Sequence, residues 1–333
     1  MATVAVMGAG TWGTAFSLVL SDAGNEVSLW GRRRELCAAI NETRHNADYL
    51  PGVKLPDAIS ASHDPVEVLE GAEVVVLAVP SQTLRANLAD WAPKIPETSI
   101  LVSLMKGIEL VTQKRMSQVI LELTEAGPER VAVVTGPNLA REIAARQPAA
   151  SVVACTHEPT ARQLQLLCHT RAFRPYTNVD VVGCELGGAT KNVIALAVGM
   201  TEGLGFGDNA KASVITRGLA ETARLATAMG ADPMTLAGLA GLGDLVATCT
   251  SPLSRNRSFG EKLGKGMNVA DILSSTRQVA EGVRSCESLY ALARQHGVDM
   301  PIVEHVAAVV RGELGAKELV ASVVSRTAKP ERH

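Results

Sequence analysis

The chain has no marked excess of either charge: 32 lysine and arginine residues stand against 34 aspartate and glutamate residues. That balance excludes the broad basic surface of a general nucleic-acid binder but leaves room for a local basic cluster that holds a phosphorylated small molecule. Close cysteine pairs are missing too. The six cysteines, Cys37, Cys155, Cys168, Cys184, Cys249 and Cys286, are widely scattered, which argues against a zinc site and makes buried, reduced thiols the expectation. No cluster of histidine and carboxylate residues supplies ligands for another metal. No charged leader precedes a hydrophobic signal core, and no apolar run reads as long enough to span a bilayer. A cytoplasmic chain without stable membrane insertion is therefore expected. Long repeats and low-complexity linkers are absent as well.

What is present begins at once. The apolar run Thr3 to Met7 leads straight into Gly8, Gly10 and Gly13. In that context the glycines read as a dinucleotide-binding turn. Gly8 permits the strand-to-helix turn, Gly10 lets backbone approach a pyrophosphate, and Gly13 lets the next helix lie close to the sheet. The phosphates would sit at the amino end of that helix, where unpaired N–H groups and the helix dipole favour negative charge. Further strands are expected at Glu26 to Trp30, Glu73 to Val79, Ser99 to Leu104, Val131 to Thr135 and Ala150 to Thr156, with helices between them. That alternation predicts a parallel, doubly wound sheet with its ligand site at the carboxyl ends of the strands. The glycine turn, Arg32 to Arg34, Pro80-Ser81-Gln82, Lys106-Gly107 and Gly136-Pro137-Asn138 all fall at such ends. From about Asp180 the periodicity turns helical. A length of 333 residues suggests two domains, placed at 1–179 for the nucleotide-binding sheet and 180–333 for an all-helical partner. The polar residues Lys329 to His333 are expected to fray.

At the end of the second strand, where a simple NAD site has a carboxylate, stands Gly31-Arg32-Arg33-Arg34. Guanidinium groups can bind a ribose 2′-phosphate, so the turn favours NADPH over NADH, with a solvated helix start as the alternative. In the second half, Lys191 interrupts a small, apolar helix, and a lysine is expensive to bury. Asp244 and Thr248, one helical turn apart, can act on one ligand or one lysine. Ser251-Pro252-Leu253-Ser254-Arg255-Asn256-Arg257 concentrates donors suited to a phosphate in a loop entering another helix, or forms a surface turn with a Ser254 cap. Cys249 lies beside these residues and reads as a small core residue.

Taken in order, the motifs GAGTWGTAF at Gly8 to Phe16, LMKGIE at Leu104 to Glu109, TGPNLAREI at Thr135 to Ile143, ELGGATKNVIALAVGM at Glu185 to Met200 and LAGLGDLVATCTSPLSRNRSFG at Leu239 to Gly260 resemble the soluble, bacterial type of NAD(P)-dependent glycerol-3-phosphate dehydrogenase. The resemblance covers essentially the whole chain. It implies a Rossmann-type α/β domain followed by an all-α domain like the C-terminal domain of 6-phosphogluconate dehydrogenase. It also implies an oxidoreductase that interconverts dihydroxyacetone phosphate and sn-glycerol 3-phosphate for glycerophospholipid synthesis, in the cytoplasm and as a homodimer. Lys191 matches the catalytic, proton-carrying lysine. Lys106, Gly136, Asn138, Asp244, Ser254, Arg255 and Asn256 match substrate contacts. With Gly8, Gly10 and Gly13, the residues Thr11, Trp12, Arg32, Arg33, Lys106, Ala140, Arg255, Val279 and Glu281 match the cofactor set, so that Arg255 touches both ligands. Asn138 departs from the serine or threonine of many relatives. Asp244 is expected to orient Lys191. Two rival readings, a dehydrogenase of β-hydroxy acids and a cofactor-sensing protein without catalysis, fit the donor-rich 254–257 loop and the retained Lys191 less well.

Overall fold

The computed structural model describes residues 1–274 and 280–318. Among these, eight strands form one sheet: β1 (Thr3–Met7), β2 (Glu26–Trp30), β3 (Ile59–Ser62), β4 (Val74–Leu77), β5 (Ile100–Ser103), β6 (Val131–Thr135), β7 (Ala149–Ala154) and β8 (Phe173–Asn178). Their order is β3-β2-β1-β4-β5-β6-β7-β8. The helices between them are α1 (Thr11–Asp22), α2 (Arg34–Thr43), α3 (Pro65–Leu69), α4 (Leu84–Trp91), α5 (Met116–Thr124), α6 (Ala140–Ala144) and α7 (Glu158–Cys168). Then follow α8 (Val181–Gly203), α9 (Asp208–Ala228), α10 (Pro233–Ala237), α11 (Asp244–Thr250), α12 (Arg255–Gly264), α13 (Val269–Ser274), α14 (Glu281–Gln295) and α15 (Pro301–Arg311). The expected terminal segment 329–333 lies outside the described residues.

Successive side chains of the sheet alternate between two apolar faces, as a sheet covered on both sides requires. Val4, Val6, Val74 and Val76 face a core that includes Phe16 of α1 and Phe173 of β8. Ala5, Met7, Val75 and Leu77 face another, built with Leu88 and Trp91 of α4 and Ile120 of α5. From β1 the chain winds outward through β2 and β3, then crosses back to β4 on the other side of β1. This reversal opens a crevice at the carboxyl ends of β1 and β4, the place where such sheets bind ligands.

The expectation of a wholly parallel sheet needs one correction. β7 runs antiparallel to β6, while the other neighbouring pairs are parallel. The five-residue α6 rises only about 7–8 Å, too little to carry the chain back along β6 for a parallel return. Two strands also escape a reading based on apolar runs. β3 is Ile-Ser-Ala-Ser, and β8 carries Arg174 and Pro175 on the edge of the sheet. Pro175 has no N–H to donate, and its carbonyl accepts from Gln165 Nε2 of α7 at 2.9 Å; both are tolerated at an edge.

The sheet ends at Asn178 and the chain from Val181 is helical. The compact units divide a little later, within α8: one holds Met1–Gly188 with Ala231–Asp244, the other Ala189–Gly230 with the residues from Leu245 on. A second correction concerns α8. At 23 residues it is long and apolar enough to cross a membrane, but 94% of its most apolar window is buried inside the protein. It is a core helix, and it contains Glu185 and Lys191. In the second unit, Gly199 and Gly203 of α8 face Gly260 and Gly264 of α12. A Cβ on Gly199 would lie 2.0 Å from the Arg257 carbonyl oxygen, and one on Gly260 would lie 2.1 Å from that of Leu196. The two helices pack backbone against backbone. Glu221 of α9, 3% exposed, accepts from Ile302 N at 3.0 Å and so supports the first turn of α15.

Gly260→Ala must push α12 away from α8 or distort one of them. It is expected to destabilise the protein by about 1–3 kcal/mol, read as a fall in denaturation midpoint at unchanged m-value. An unchanged midpoint would show that the two helices separate freely.

Candidate functional site

The glycine turn between β1 and α1 has the shape its sequence predicts. Gly8 has φ +143°, a conformation that side chains disfavour, and a Cβ there would stand 2.5 Å from the Ala78 carbonyl oxygen. At Gly13 a Cβ would stand 2.0 Å from the Gly8 oxygen. Gly10 differs: a Cβ there would meet nothing within 4 Å. The open space lies at the N-cap of α1, which has no side-chain cap and no acidic residue in its first turn. An uncapped helix terminus beside a side-chain-free backbone suits a diphosphate, so the residues present fit a dinucleotide. Trp12 Nε1 is buried without a hydrogen-bond partner. From below, Asn46 donates to the Ala9 carbonyl at 2.9 Å and to Thr14 Oγ1 at 2.8 Å. Sequence reasoning missed Asn46, which no spacing links to the turn.

Arg32, Arg33 and Arg34 are exposed at the end of β2. Arg33 pairs with Asp48, and its guanidinium lies 5.8 Å from the centre of the Tyr49 ring. The Asp48 hydrogen bond raises the Arg33 pKa further above its ordinary value. Arg32 makes no ion pair among the described residues.

Lys106 leaves β5 on a loop that neighbours brace from both sides. Gln82 Nε2 donates to the Ile108 carbonyl at 2.7 Å and Gln82 Oε1 accepts from Leu110 N at 2.9 Å. Arg85 clasps Glu109 with two bonds of 2.8 and 2.9 Å and holds its carboxyl below the usual carboxylate range. Lys106 Nζ donates to the Gly136 carbonyl at 2.8 Å and to Asp244 Oδ2 at 2.6 Å. The Lys106 side chain is 11% exposed and that of Asp244 1%, so losing either partner leaves the other charge buried. Within this unit the lysine that Asp244 grips is Lys106. Gly188 lets α8 pass close by, because a Cβ there would approach Thr135 Oγ1 to 3.0 Å and Lys106 Cγ to 3.3 Å. Glu185 accepts from Ser117 N at 2.8 Å, from Ser117 Oγ at 2.6 Å and from Arg115. Beyond β6, Asn138 Nδ2 donates to Ser151 Oγ at 3.1 Å, while Asn138 Oδ1 is buried without a partner. Ala140 begins α6.

In the second unit Lys191 is 7% exposed, and its Nζ donates to Thr248 Oγ1 at 2.8 Å. Ser254 caps α12, its oxygen accepting from Arg257 N at 3.3 Å, so Arg255 opens the first turn. Arg255 is exposed. Asn256 is buried and spans two neighbours: Nδ2 donates to Asn192 Oδ1 at 2.9 Å, and Oδ1 accepts from Gly282 N at 2.9 Å. It thereby ties α12 to α8 and to α14, whose first residue is Glu281. Arg257 pairs with Glu202 at 2.6 Å. Val279 lies outside the described residues. All six cysteines are free thiols and buried, Cys249 at 2% exposure.

Comparison with known proteins covers both halves of the chain. The family model described as the N-terminus of NAD-dependent glycerol-3-phosphate dehydrogenase matches residues 3–161, and that described as its C-terminus matches residues 180–321. A glycerol-3-phosphate dehydrogenase (NAD(P)+) of Streptomyces coelicolor is 63% identical over 328 residues, 98% of either chain. One from Thermobifida fusca is 60% identical over 334 residues, 100% of this chain and 99% of its own. A crystal structure of glycerol-3-phosphate dehydrogenase from Coxiella burnetii superposes with a TM-score of 0.93 at 35% identity, over 98% of this chain and 99% of that one.

The glycine turn yields a paired test. Gly10→Ala places a methyl in open space and is expected to keep the melting temperature but weaken dinucleotide binding, whereas Gly13→Ala is expected to lower the melting temperature as well. Calorimetric melts and titrations of each variant check this, and equal destabilisation by both substitutions would contradict it.

Proposed function

Because this chain belongs to the NAD-dependent glycerol-3-phosphate dehydrogenase family, we propose that it reversibly reduces dihydroxyacetone phosphate to sn-glycerol 3-phosphate with NADPH or NADH. The observation that carries the reading is Lys191, a lysine held almost wholly out of solvent and donating to Thr248. Bound nicotinamide supplies the hydride to the carbonyl carbon. Lys191 stabilises the negative charge that develops on the carbonyl oxygen and then gives that oxygen a proton, so the ketone becomes a secondary alcohol. Arg255, at the amino end of α12, holds the substrate phosphate with the backbone N–H groups there. Binding of that unreacting phosphate is what positions the carbonyl. Asn256, with both amide atoms engaged by Asn192 and Gly282, sets the place of the helix terminus. Lys106, fixed by Asp244, supplies a further positive charge toward substrate and nicotinamide, and Gly136 and Asn138 contribute to the substrate contacts.

Gly8, Gly10, Thr11, Trp12 and Gly13 hold the diphosphate and Arg32 and Arg33 the adenosine end, which favours NADPH. Ala140, Arg255, Val279 and Glu281 complete the cofactor set by family resemblance. On the same footing the enzyme is a cytoplasmic homodimer that supplies the backbone of glycerophospholipids, with a nucleotide-binding domain at 1–179 and a substrate domain at 180–333. Loss of nicotinamide absorbance with dihydroxyacetone phosphate, measured with each cofactor in turn, tests the activity directly; no turnover with either cofactor would refute it.

Two substitutions test the roles. Lys191→Ala is expected to retain cofactor binding while single-turnover hydride transfer at saturating ligands falls by about 10²–10⁴-fold; a near-normal rate would assign the proton to another group. Arg255→Lys keeps the charge but loses the planar fork, so KM for dihydroxyacetone phosphate is expected to rise. Unchanged kinetics would remove Arg255 from the phosphate site.

A further inference from the structure

The basic turn after β2 contains a carboxylate that the reading above does not use. Asp48 is paired with Arg33, and both side chains are about half exposed, at 53% and 48%. Yet the segment carrying Asp48 is firmly placed. Two residues before it, Asn46 is fully buried and bonded to Ala9 and Thr14. Two residues after it, Leu50 is 1% exposed, and its N–H donates to the Asn46 carbonyl at 2.8 Å. The same anchor that supports the glycine turn therefore presents Asp48 to Arg33. Tyr49, against the guanidinium, limits where Arg33 can move.

We propose that Asp48 is a specificity-determining residue that tempers the preference for NADPH by occupying Arg33 whenever no 2′-phosphate is there to take it. The proposal rests on the dinucleotide reading of this turn. A 2′-phosphate and the Asp48 carboxylate are both anions that suit the same guanidinium fork. NADPH must draw Arg33 away from Asp48 or share it. NADH, with a neutral 2′-hydroxyl, leaves the ion pair intact. Because the pair is solvent-exposed, releasing Arg33 costs little: exposed ion pairs change an equilibrium by about five-fold or less. Asp48 thus trims NADPH affinity without abolishing it, while Arg32, with no ion pair among the described residues, remains for the phosphate in either case. The outcome is an enzyme that accepts both cofactors.

The test is Asp48→Asn, which keeps the shape and removes the charge, with Kd for NADPH and NADH measured by cofactor fluorescence at low salt. The ratio of the NADH Kd to the NADPH Kd is expected to rise about two- to five-fold, from release of Arg33. In an Arg33→Ala background the same substitution is expected to move that ratio less than two-fold, because the group through which Asp48 acts is gone. An unmoved or falling ratio in the single variant overturns the proposal. So does an equal rise in the Arg33→Ala background, which would mean that Asp48 acts on the phosphate directly. If the unaltered protein binds neither cofactor, the dinucleotide reading fails together with the proposal. If it binds both and only the ratio stays fixed, the proposal fails alone.

Discussion

Close approach of polypeptide backbones along α8 is the constraint on which the arrangement of the chemical groups depends. In the first unit, Gly187 lies where a Cβ would come within 2.4 Å of the Ala240 carbonyl oxygen, and Gly188 lies against Thr135 and the stem of Lys106. In the second, Gly199 and Gly203 bring α12 to the helix. Larger residues at these positions would separate the backbones by a side-chain layer. The 239–244 turn would then withdraw Asp244 from Lys106, and the amino end of α12 would shift from its tie to Asn192. The small-residue composition of α8 is thus a statement about distances between charged groups elsewhere.

Those charged groups fall into two kinds. Lys106 with Asp244 and Glu185 with Arg115 are buried, and each gains hydrogen bonds beyond its ion pair. Such pairs contribute little net stability compared with apolar residues of the same shape, but losing one partner is strongly unfavourable, so they hold geometry. The Arg33 and Asp48 pair belongs to the second kind. Its members stay hydrated and can exchange partners at small cost. Rigid pairs fix the geometry within the first unit, and an exchangeable one stands at the proposed cofactor selector.

The sequence made the glycine turn legible because three glycines after an apolar strand have few other uses, and it made β6 legible to the residue because all five of its positions are buried. β3 and β8 were hidden because edge strands need few apolar residues. The reversed direction of β7 depends on the rise of a short helix rather than on any motif. Among the site residues, Lys191 stood out as a charge in an apolar helix, and Thr248 was visible at one-turn spacing from Asp244. The pairing of Lys106 with Asp244 was not visible, since the two are 138 residues apart in the chain. Asn46, Asp48, Gln82 and Asn192 act through such distant contacts too. A polar residue that braces another loop looks, in one dimension, like any surface residue. The expectation that no apolar run is long enough to span a bilayer missed α8, because a helix buried within a protein can satisfy the same apolar criterion as one that spans a bilayer.

The edge strand β8 bears on how copies of this chain can associate. An open sheet edge ordinarily offers a row of free N–H and carbonyl groups on which another strand can assemble. Here Pro175 interrupts the row of donors midway along the strand, and Gln165 already occupies its carbonyl. Extending the sheet past β8 would require breaking that bond and would gain no hydrogen bond from the proline nitrogen. This border of the sheet is therefore blunted against strand addition, and two copies of the chain would have to meet there through side chains, whose complementarity is selective, rather than through backbone pairing, which is not.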